Sequence, residues 1–439
     1  MNADLKFPKG FLWGTATSAH QVEGNNKNNN WWQWEQQEGR IKEGQSSEIA
    51  CDHWDRYNED FDLITKLNNN AYRMSIEWSR IFPKPHITDQ EAIEHYHKML
   101  DELHNRNITP FVTLHHFTNP IWWEKEGGLK SQKTNHLNHF KEFIEVLVKE
   151  YGDKIHFWNT INEPNIVAML GYYLGVFPPG EKTIRSAFNA GNTLLLMHAK
   201  AYNTIKSNNP SDLVGLVKNM AVVKPLNPKS RMDRLTTRFV DYGYNGATLR
   251  SLRTGKSSWS LIRQKKYLKR SFDFIGLNFY NFLLVSRSLK ELGITARPET
   301  DKELLCEGLD WEPYPEGILI NLQRLNREFP GIPIYITENG IGTNNDEWRQ
   351  RCLIHHLIKM HKAIELGIPV KGYFHWSLLD NFEWAEGYNS KFGLVEVNFL
   401  TQERKIKGSG NLYSGIAQRN SISSDLIEKF RSWPISGMK

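Results

Sequence analysis

The sequence of 439 residues predicts an α/β protein that folds as a single (β/α)8 TIM barrel. Short β-branched and aromatic stretches alternate eight times with longer segments that carry apolar residues at helical spacing. Neither a Pro/Gly-rich linker nor an internal repeat interrupts the alternation, which favours one domain over residues 1–439. The hydrophobic fraction of 39% is sufficient for one large core.

Eight buried-strand patterns and eight helical patterns define the expected elements. The predicted strands are 11–17, 71–76, 110–114, 158–163, 213–217, 272–278, 334–338 and 370–376. The predicted helices are 60–67, 91–105, 137–151, 184–206, 233–252, 315–329, 346–366 and 410–419. Residues 281–312 read as one long loop, and a loop of that length in a compact domain is typical of a functional segment.

Charge and cysteine content exclude several classes of protein. The formal net charge is +6, but the basic residues are dispersed, and the densest cluster, at 263–270, is typical of a solvated helix face rather than a nucleic-acid site. The three cysteines are far apart and lack the spacing of metal ligands, so we expect free thiols, a reducing compartment and a cytoplasmic location. No apolar run approaches 18 residues, so we expect neither a membrane partner nor a signal peptide.

Two glutamates end strand-like runs that lie far apart in the chain. Glu163 follows Trp158-Asn159-Thr160-Ile161-Asn162, and Glu338 follows Ile334-Tyr335-Ile336-Thr337. Either glutamate alone is explained as well by helix capping or by a salt bridge. In a TIM barrel, however, the strand ends meet at one mouth, and two carboxyl groups there are the minimum equipment for cleaving a glycosidic bond.

Other polar side chains occur at the same predicted ends and strengthen the prediction of a site there. Within the second strand, Arg73 requires an anionic partner because a buried unpaired cation is costly. The residues at or just beyond the strand ends are Gln21, His116, Asn162, Glu163, Asn278, Tyr280, Glu338 and Trp376.

Five motifs together resemble glycoside hydrolase family 1, the β-glucosidase family. The resemblance extends from about Phe7 to Arg419, and the order and spacing of the motifs make it specific. The motifs are Phe11-Leu12-Trp13-Gly14-Thr15-Ala16, Arg73-Met74-Ser75-Ile76-Glu77-Trp78-Ser79-Arg80, Thr160-Ile161-Asn162-Glu163-Pro164, Ile336-Thr337-Glu338-Asn339-Gly340 and Phe382-Glu383-Trp384.

The resemblance implies a retaining β-glycosidase that hydrolyses terminal non-reducing β-D-glycosyl residues. In that mechanism Glu338 is the nucleophile, and Glu163 is the general acid and then the general base. Arg73 and Tyr280 would support the ionised nucleophile. No cofactor or metal is implied, and the expected partners are small-molecule β-glycosides or oligosaccharides rather than nucleic acid.

The resemblance also assigns residues to sugar recognition. Trp376 would be the platform for the sugar ring, Trp384 would close the pocket, and Trp311 would lie on the aglycone side. The residues implied in binding the sugar are Gln21, His116, Asn162, Asn278, Tyr280, Trp376, Glu383 and Trp384. The chain departs from many relatives at Phe117, where they have Trp, and at Phe177, where His is frequent.

Two alternatives remain at this point. A 6-phospho-β-glycosidase typically has a small residue in place of Trp384, and a Lys two positions before a Tyr where this chain has Ser390 and Phe392. A non-catalytic sugar-binding barrel would be expected to lack one of the two glutamates, and both are present. The sequence does not specify the preferred sugar epimer, the aglycone, the extent of transglycosylation or the oligomeric state.

Overall fold

A computed structural model describes residues 3–131, 135–258, 268–287, 295–297 and 299–434. Eight parallel strands form a closed barrel in which each strand pairs with its neighbours in the sequence, and the last pairs with the first. The barrel strands are β1 Leu12–Ala16, β2 Ala71–Ser75, β3 Thr109–Thr113, β4 Phe157–Asn162, β5 Leu213–Asn219, β6 Phe274–Asn278, β7 Ile334–Asn339 and β8 Val370–Trp376. The predicted fold class is confirmed.

Helices follow the strands and cover the outside of the barrel. In the third helix, Leu137, Phe140, Ile144 and Leu147 are all buried because they repeat on one face. The principal helices are α1 His53–Lys66, α2 Gln90–Asn105, α3 His136–Tyr151, α4 Ile184–Asn208, α5 Ala247–Thr254, α6 Pro315–Glu328, α7 Asp346–Glu365 and α8 Gly408–Arg419.

Shorter elements connect this framework. The strands are Leu5–Lys6, Val222–Pro225, Phe282–Val285, Val395–Val397, Arg404–Ile406 and Ser421–Ile422. The helices and helical turns are Ala19–Val22, Asn30–Glu35, Lys42–Gly44, Trp78–Ile81, Ile121–Lys125, Gly128–Lys130, Pro164–Ile166, Val167–Leu174, Arg231–Asp241, Tyr242–Gly246, Lys302–Leu304, Trp384–Glu386 and Ser424–Lys429. Among the described residues, no helix combines the length and apolar character needed to cross a lipid bilayer.

Two predicted elements differ in the structure. The predicted helix 233–252 is three segments, since the π-helical turn Tyr242–Gly246 separates Arg231–Asp241 from α5. Two glycines in that turn weaken the α-helical hydrogen-bond ladder. The predicted loop 281–312 contains the strand Phe282–Val285, which pairs in parallel with Val222–Pro225. Residues 288–294 and 298 of that loop, and 263–267 of the basic cluster, lie outside the described residues.

Aromatic rings fill the barrel interior beneath the strand ends. The Phe111 ring lies 4.9 Å from that of Phe374 and 5.2 Å from that of Tyr335, and Phe274 packs against the same group. These side chains are buried and close the barrel from below. Polar side chains further along the strands therefore lie on the C-terminal side of these rings, where they line a cavity.

Candidate active site

Glu338 lies on β7 and is held by two donors. Its carboxylate forms a buried ion pair with Arg73 on β2, and it accepts a hydrogen bond of 2.7 Å from the Tyr280 hydroxyl. Both donors stabilise negative charge on the carboxylate. In turn, burial and the charge of Glu338 raise the pKa of Tyr280 well above its usual value, so the phenol keeps its proton.

Arg73 is completely buried and links several strands. Its guanidinium donates to the hydroxyl of Thr113 at 3.2 Å, to the backbone carbonyl of Thr337 at 3.1 Å and to the Asn162 side-chain oxygen at 2.8 Å. Each of the three guanidinium nitrogens therefore donates to at least one acceptor, and the Glu338 carboxylate balances the positive charge. Its position explains why a strand interior contains an arginine.

Glu163 follows β4 and has a different environment. Its Oε1 accepts from the side-chain amides of Asn278 at 2.7 Å and Asn219 at 2.9 Å, both neutral groups. Burial, and secondarily the negative charge of Glu338, raise the pKa of Glu163 to about 7. Its backbone has a positive φ of 47°, an uncommon conformation that recurs at functional sites. The two carboxyl groups of the site thus lie in unequal environments.

Asn162 connects the two carboxyl groups to a neutral histidine. Its side-chain oxygen accepts from Arg73 and, at 3.2 Å, from Asn278, while its amide lies 3.0 Å from Nε2 of His116. Burial, and secondarily the Arg73 charge, lower the pKa of His116 well below its usual value. The imidazole is therefore uncharged at neutral pH.

Glu383 is the third carboxyl group of the site, after Glu338 and Glu163. The Gln21 amide donates to its Oε2 at 3.2 Å, and the Trp376 side chain also hydrogen-bonds to it. Burial, and secondarily the charge of Glu338, raise the pKa of Glu383 to about 8. Glu383 is therefore mostly protonated at neutral pH and can both donate and accept.

Aromatic rings form much of the wall of the site. The Trp384 ring lies 4.9 Å from that of Phe117 and 4.6 Å from that of Trp31, and Phe177 packs on Trp31 at 4.8 Å. The Trp311 ring, which also lines the cavity, lies 5.8 Å from that of Tyr280. Apolar rings beside convergent polar groups suit a sugar, which has both C–H faces and hydroxyls.

These groups enclose one cavity of about 240 Å³ at the C-terminal end of the barrel. Its lining includes most of the residues predicted for the site. They are His116, Phe117, Asn162, Glu163, Ile166, Leu170, Phe177, Asn219, Tyr244, Tyr280, Asn281, Leu309, Trp311, Glu338, Trp376, Glu383, Trp384 and Phe392. A larger surface depression, of about 670 Å³, lies near Arg80 and Asp89, away from both glutamates.

Three predicted residues lie behind the cavity wall. Gln21, Arg73 and Asn278 are fully buried, and each donates to a carboxyl group that lines the cavity. Their direct role in the structure is to orient Glu383, Glu338 and Glu163 respectively.

Sequence reasoning missed two residues beside Glu163. Asn219 ends β5 and donates to Glu163, while the Tyr244 hydroxyl donates to Asn219 at 2.6 Å. Asn219 lies at a strand end, which is the signal that identified Asn278, but the predicted strand stopped two residues earlier. Tyr244 lies in the π-helical turn, and no pattern in the sequence indicates that turn.

A parallel barrel whose strand ends present two carboxyl groups in unequal environments, a sugar-sized cavity and an aromatic wall defines a glycoside hydrolase. The family comparison agrees, since residues 3–422 match the model of glycosyl hydrolase family 1. The chain therefore belongs to glycosyl hydrolase family 1 and is an enzyme of the β-glucosidase type.

Individual relatives resemble the chain along nearly its whole length. β-Glucosidase A of Thermotoga maritima is 34% identical over 444 residues, which cover 95% of this chain and 99% of that protein. A β-glycosidase from Pyrococcus horikoshii has a TM-score of 0.89 at 38% identity, covering 98% and 99% of the two chains. A Thermotoga maritima family 1 enzyme complexed with a cyclophellitol-analogue transition-state mimic has a TM-score of 0.89 at 33% identity, covering 96% and 100%. The predicted family and enzyme class are confirmed.

Proposed function

We propose that this enzyme is a retaining β-glucosidase in which Glu338 is the nucleophile and Glu163 the acid/base. The observation that carries the proposal is the unequal environment of the two carboxyl groups. Glu338 receives a cation and a phenol donor, whereas Glu163 receives only neutral amides and has a pKa raised to about 7. A nucleophile must be ionised and an acid must hold a proton at the same pH, and these environments favour that division.

The reaction follows from these two states. The Glu338 carboxylate attacks the anomeric carbon while Glu163 gives its proton to the departing oxygen, which leaves a glycosyl ester on Glu338. Ionised Glu163 then removes a proton from water, and that water attacks the anomeric carbon and releases Glu338. Two displacements on one carbon restore the β configuration in the product.

Sugar recognition completes the proposal. Glu383 and His116, oriented by Gln21 and Asn162 respectively, would bind sugar hydroxyls, and the Trp376 ring would lie under the apolar face of the sugar. Trp311 and Phe177, which both line the cavity, would contact the aglycone. The glucosidase names of the relatives support glucose as the sugar.

A 6-phosphoglycoside is a poorer candidate substrate. Among the described residues, the cavity lining has no lysine or arginine to pair with a phosphate dianion. Trp384 is only 5% exposed and lines the cavity, at a position where a 6-phospho-β-glycosidase typically has a small residue. Glu383, mostly protonated at neutral pH, would add repulsion only once it ionises. Steric exclusion and the lack of a cation are thus the stronger arguments.

The proposal extends to the organisation and location of the chain. We treat residues 1–439 as one catalytic domain, and the pairing of Leu5–Lys6 with Ser421–Ile422 supports this because it joins the two ends of the described chain. We also expect the enzyme in a reducing compartment, the cytoplasm. The three free and buried cysteines are compatible with it.

Two alanine variants test the assignment of roles. Glu338→Ala should abolish hydrolysis, and azide should partly restore turnover with formation of an inverted glycosyl azide. Glu163→Ala should slow substrates with poor leaving groups far more than activated nitrophenyl glucosides, because a good leaving group needs no acid. Glu396→Ala, at an exposed position on the strand Val395–Val397, is the control and should retain full activity. If both active-site variants respond identically to azide and leaving-group pKa, the roles are wrongly assigned.

A further inference from the structure

The helix Arg231–Asp241 has its polar side turned inward and its apolar side turned outward. Asp233 and Thr237 are buried, whereas Met232, Leu235 and Phe239 are 56%, 59% and 68% exposed. The exposed residues recur at steps of three and four, so they form one stripe along the helix. A surface helix of a globular protein normally shows the opposite arrangement.

Hydrogen bonds fix the helix in this orientation. The Asp233 carboxylate accepts from the backbone N–H groups of Asn227 at 3.2 Å and Arg287 at 3.0 Å. At the other end, Asp241 forms a bidentate ion pair with Arg324 at 2.6 and 2.9 Å. Rotating the helix to bury its stripe would break these bonds and leave the Asp233 carboxylate without its backbone donors. The apolar stripe is therefore a stable feature of the surface.

The stripe lies beside the mouth of the active site. The chain from Asn219 to Tyr244, both of which line the catalytic cavity, contains this helix, and Tyr242 continues the stripe to within two residues of Tyr244. Leu309 both lines the cavity and is partly exposed. Other exposed apolar side chains on the loops and helix starts that follow β4 and β5 are Tyr173, Val176, Ile184 and Leu226.

Cations border the stripe. Arg231, Arg234 and Arg238 are exposed on the same helix, and among the described residues no carboxylate lies within ion-pair distance of any of them. Lys229 precedes the helix and is also exposed. A helix with an outward apolar stripe and flanking arginines is typical of segments that lie in the interface of a lipid membrane. A second copy of the same surface fits less well, because pairing would bring these arginines together.

We propose that this surface, the stripe Met232, Leu235, Phe239 and Tyr242 with its arginines, docks the enzyme on an anionic lipid bilayer with the active-site mouth near the interface. The apolar side chains would enter the headgroup region, and the arginines would extend to lipid phosphates. The sequence-based expectation of no membrane partner depended on the lack of an apolar run long enough to span a bilayer. Docking at the surface of a bilayer does not require such a run. The proposal does not depend on which sugar the enzyme cleaves.

Sedimentation with vesicles tests the docking surface. Wild-type enzyme should co-sediment with vesicles of phosphatidylcholine mixed with phosphatidylglycerol, and much less with phosphatidylcholine alone. The double variant Leu235→Asp/Phe239→Asp should bind at least tenfold more weakly. Arg234 also donates to the backbone carbonyls of Pro228 and Lys229 and is left in place. Each of the other two arginines contributes roughly fivefold, so Arg231→Gln/Arg238→Gln should bind roughly 25-fold more weakly and lose much of the salt dependence.

The control variant is Leu366→Asp, whose leucine is similarly exposed just beyond the end of α7. It should bind vesicles like wild type, and all variants should keep wild-type turnover of a soluble nitrophenyl glucoside, which shows that they fold. Absence of vesicle binding by wild type, or equal losses in the control and the double variant, would overturn the proposal. Sedimentation velocity showing a dimer that Leu235→Asp/Phe239→Asp dissociates would overturn it in favour of a second copy.

Discussion

Replacing Glu163 with glutamine should stabilise the folded enzyme, and by an amount that depends on pH. The side-chain oxygen of the introduced glutamine can still accept from the Asn219 and Asn278 amides, so the hydrogen bonds are kept. What the substitution removes is a carboxyl group whose pKa burial raises from 4.5 to about 7. A group with a raised pKa in the folded state destabilises that state wherever it must ionise.

The magnitude follows from the size of the shift. At pH values below 4.5 Glu163 is protonated in both folded and unfolded states, so the substitution should have little effect on the free energy of unfolding. Between pH 4.5 and about 7 the folded wild type holds a proton that the unfolded chain has lost, so its stability falls as the pH rises. Above pH 7 the free energy of unfolding of Glu163→Gln should exceed that of wild type by the full amount. This amount is about 3 kcal/mol, the pKa shift multiplied by 1.36 kcal/mol per pKa unit.

Thermal denaturation of wild type and Glu163→Gln at pH 4 and at pH 8 measures this difference. The variant should melt at the same temperature as wild type at pH 4 and several degrees higher at pH 8. Glu396→Gln, at an exposed position, should change neither melting temperature by more than a degree or so. An equal stabilisation at both pH values, or a destabilisation at pH 8, would refute the reasoning that burial controls the proton affinity of Glu163.

Three further substitutions follow from contacts in the site. Tyr280→Phe removes a hydrogen bond of 2.7 Å to Glu338 and should lower kcat/KM for nitrophenyl glucosides roughly 10- to 150-fold, measured at saturating and limiting substrate. An unchanged kcat/KM would contradict the role of Tyr280 in supporting the nucleophile. Glu383→Ala should lower kcat/KM on unphosphorylated glucosides roughly 30- to 1,000-fold, and wild type should be nearly inert toward 6-phosphoglycosides; preference for the phosphorylated substrate would overturn the pocket assignment. Asn219→Ala removes a hydrogen-bond donor that lowers the pKa of Glu163, so the alkaline limb of the profile of kcat/KM against pH should move to higher pH. A shift to lower pH would show that Asn219 has another role.

The sequence predicted the barrel well because its strands are buried. Runs such as Ile334–Asn339 contain β-branched and aromatic residues because the strand is buried at every position. Such a run can be recognised in the sequence without knowledge of its tertiary contacts. The location of the site followed from the same pattern, since polar residues at the strand ends meet at one mouth of a closed barrel. Arg73 was informative for the same reason, because a cation in a buried strand requires an anion nearby.

The connections between strands were harder to predict. The π-helical turn that carries Tyr244 and the strand Phe282–Val285 depend on tertiary contacts that no local pattern reveals. The helix Arg231–Asp241 lies in the stretch predicted as one helix, 233–252, and a surface helix normally buries its apolar side. The opposite orientation follows from the hydrogen bonds of Asp233, whose donors include Arg287, 54 residues later in the chain.

Trapping the intermediate tests the central claim most directly. A fluorinated glucoside that forms the glycosyl-enzyme ester quickly and loses it slowly should inactivate the wild-type enzyme with one label per chain. Mass spectrometry of the digested protein should then locate the sugar on Glu338. A label on Glu163 or on any other residue, or turnover without a covalent intermediate, would contradict the account.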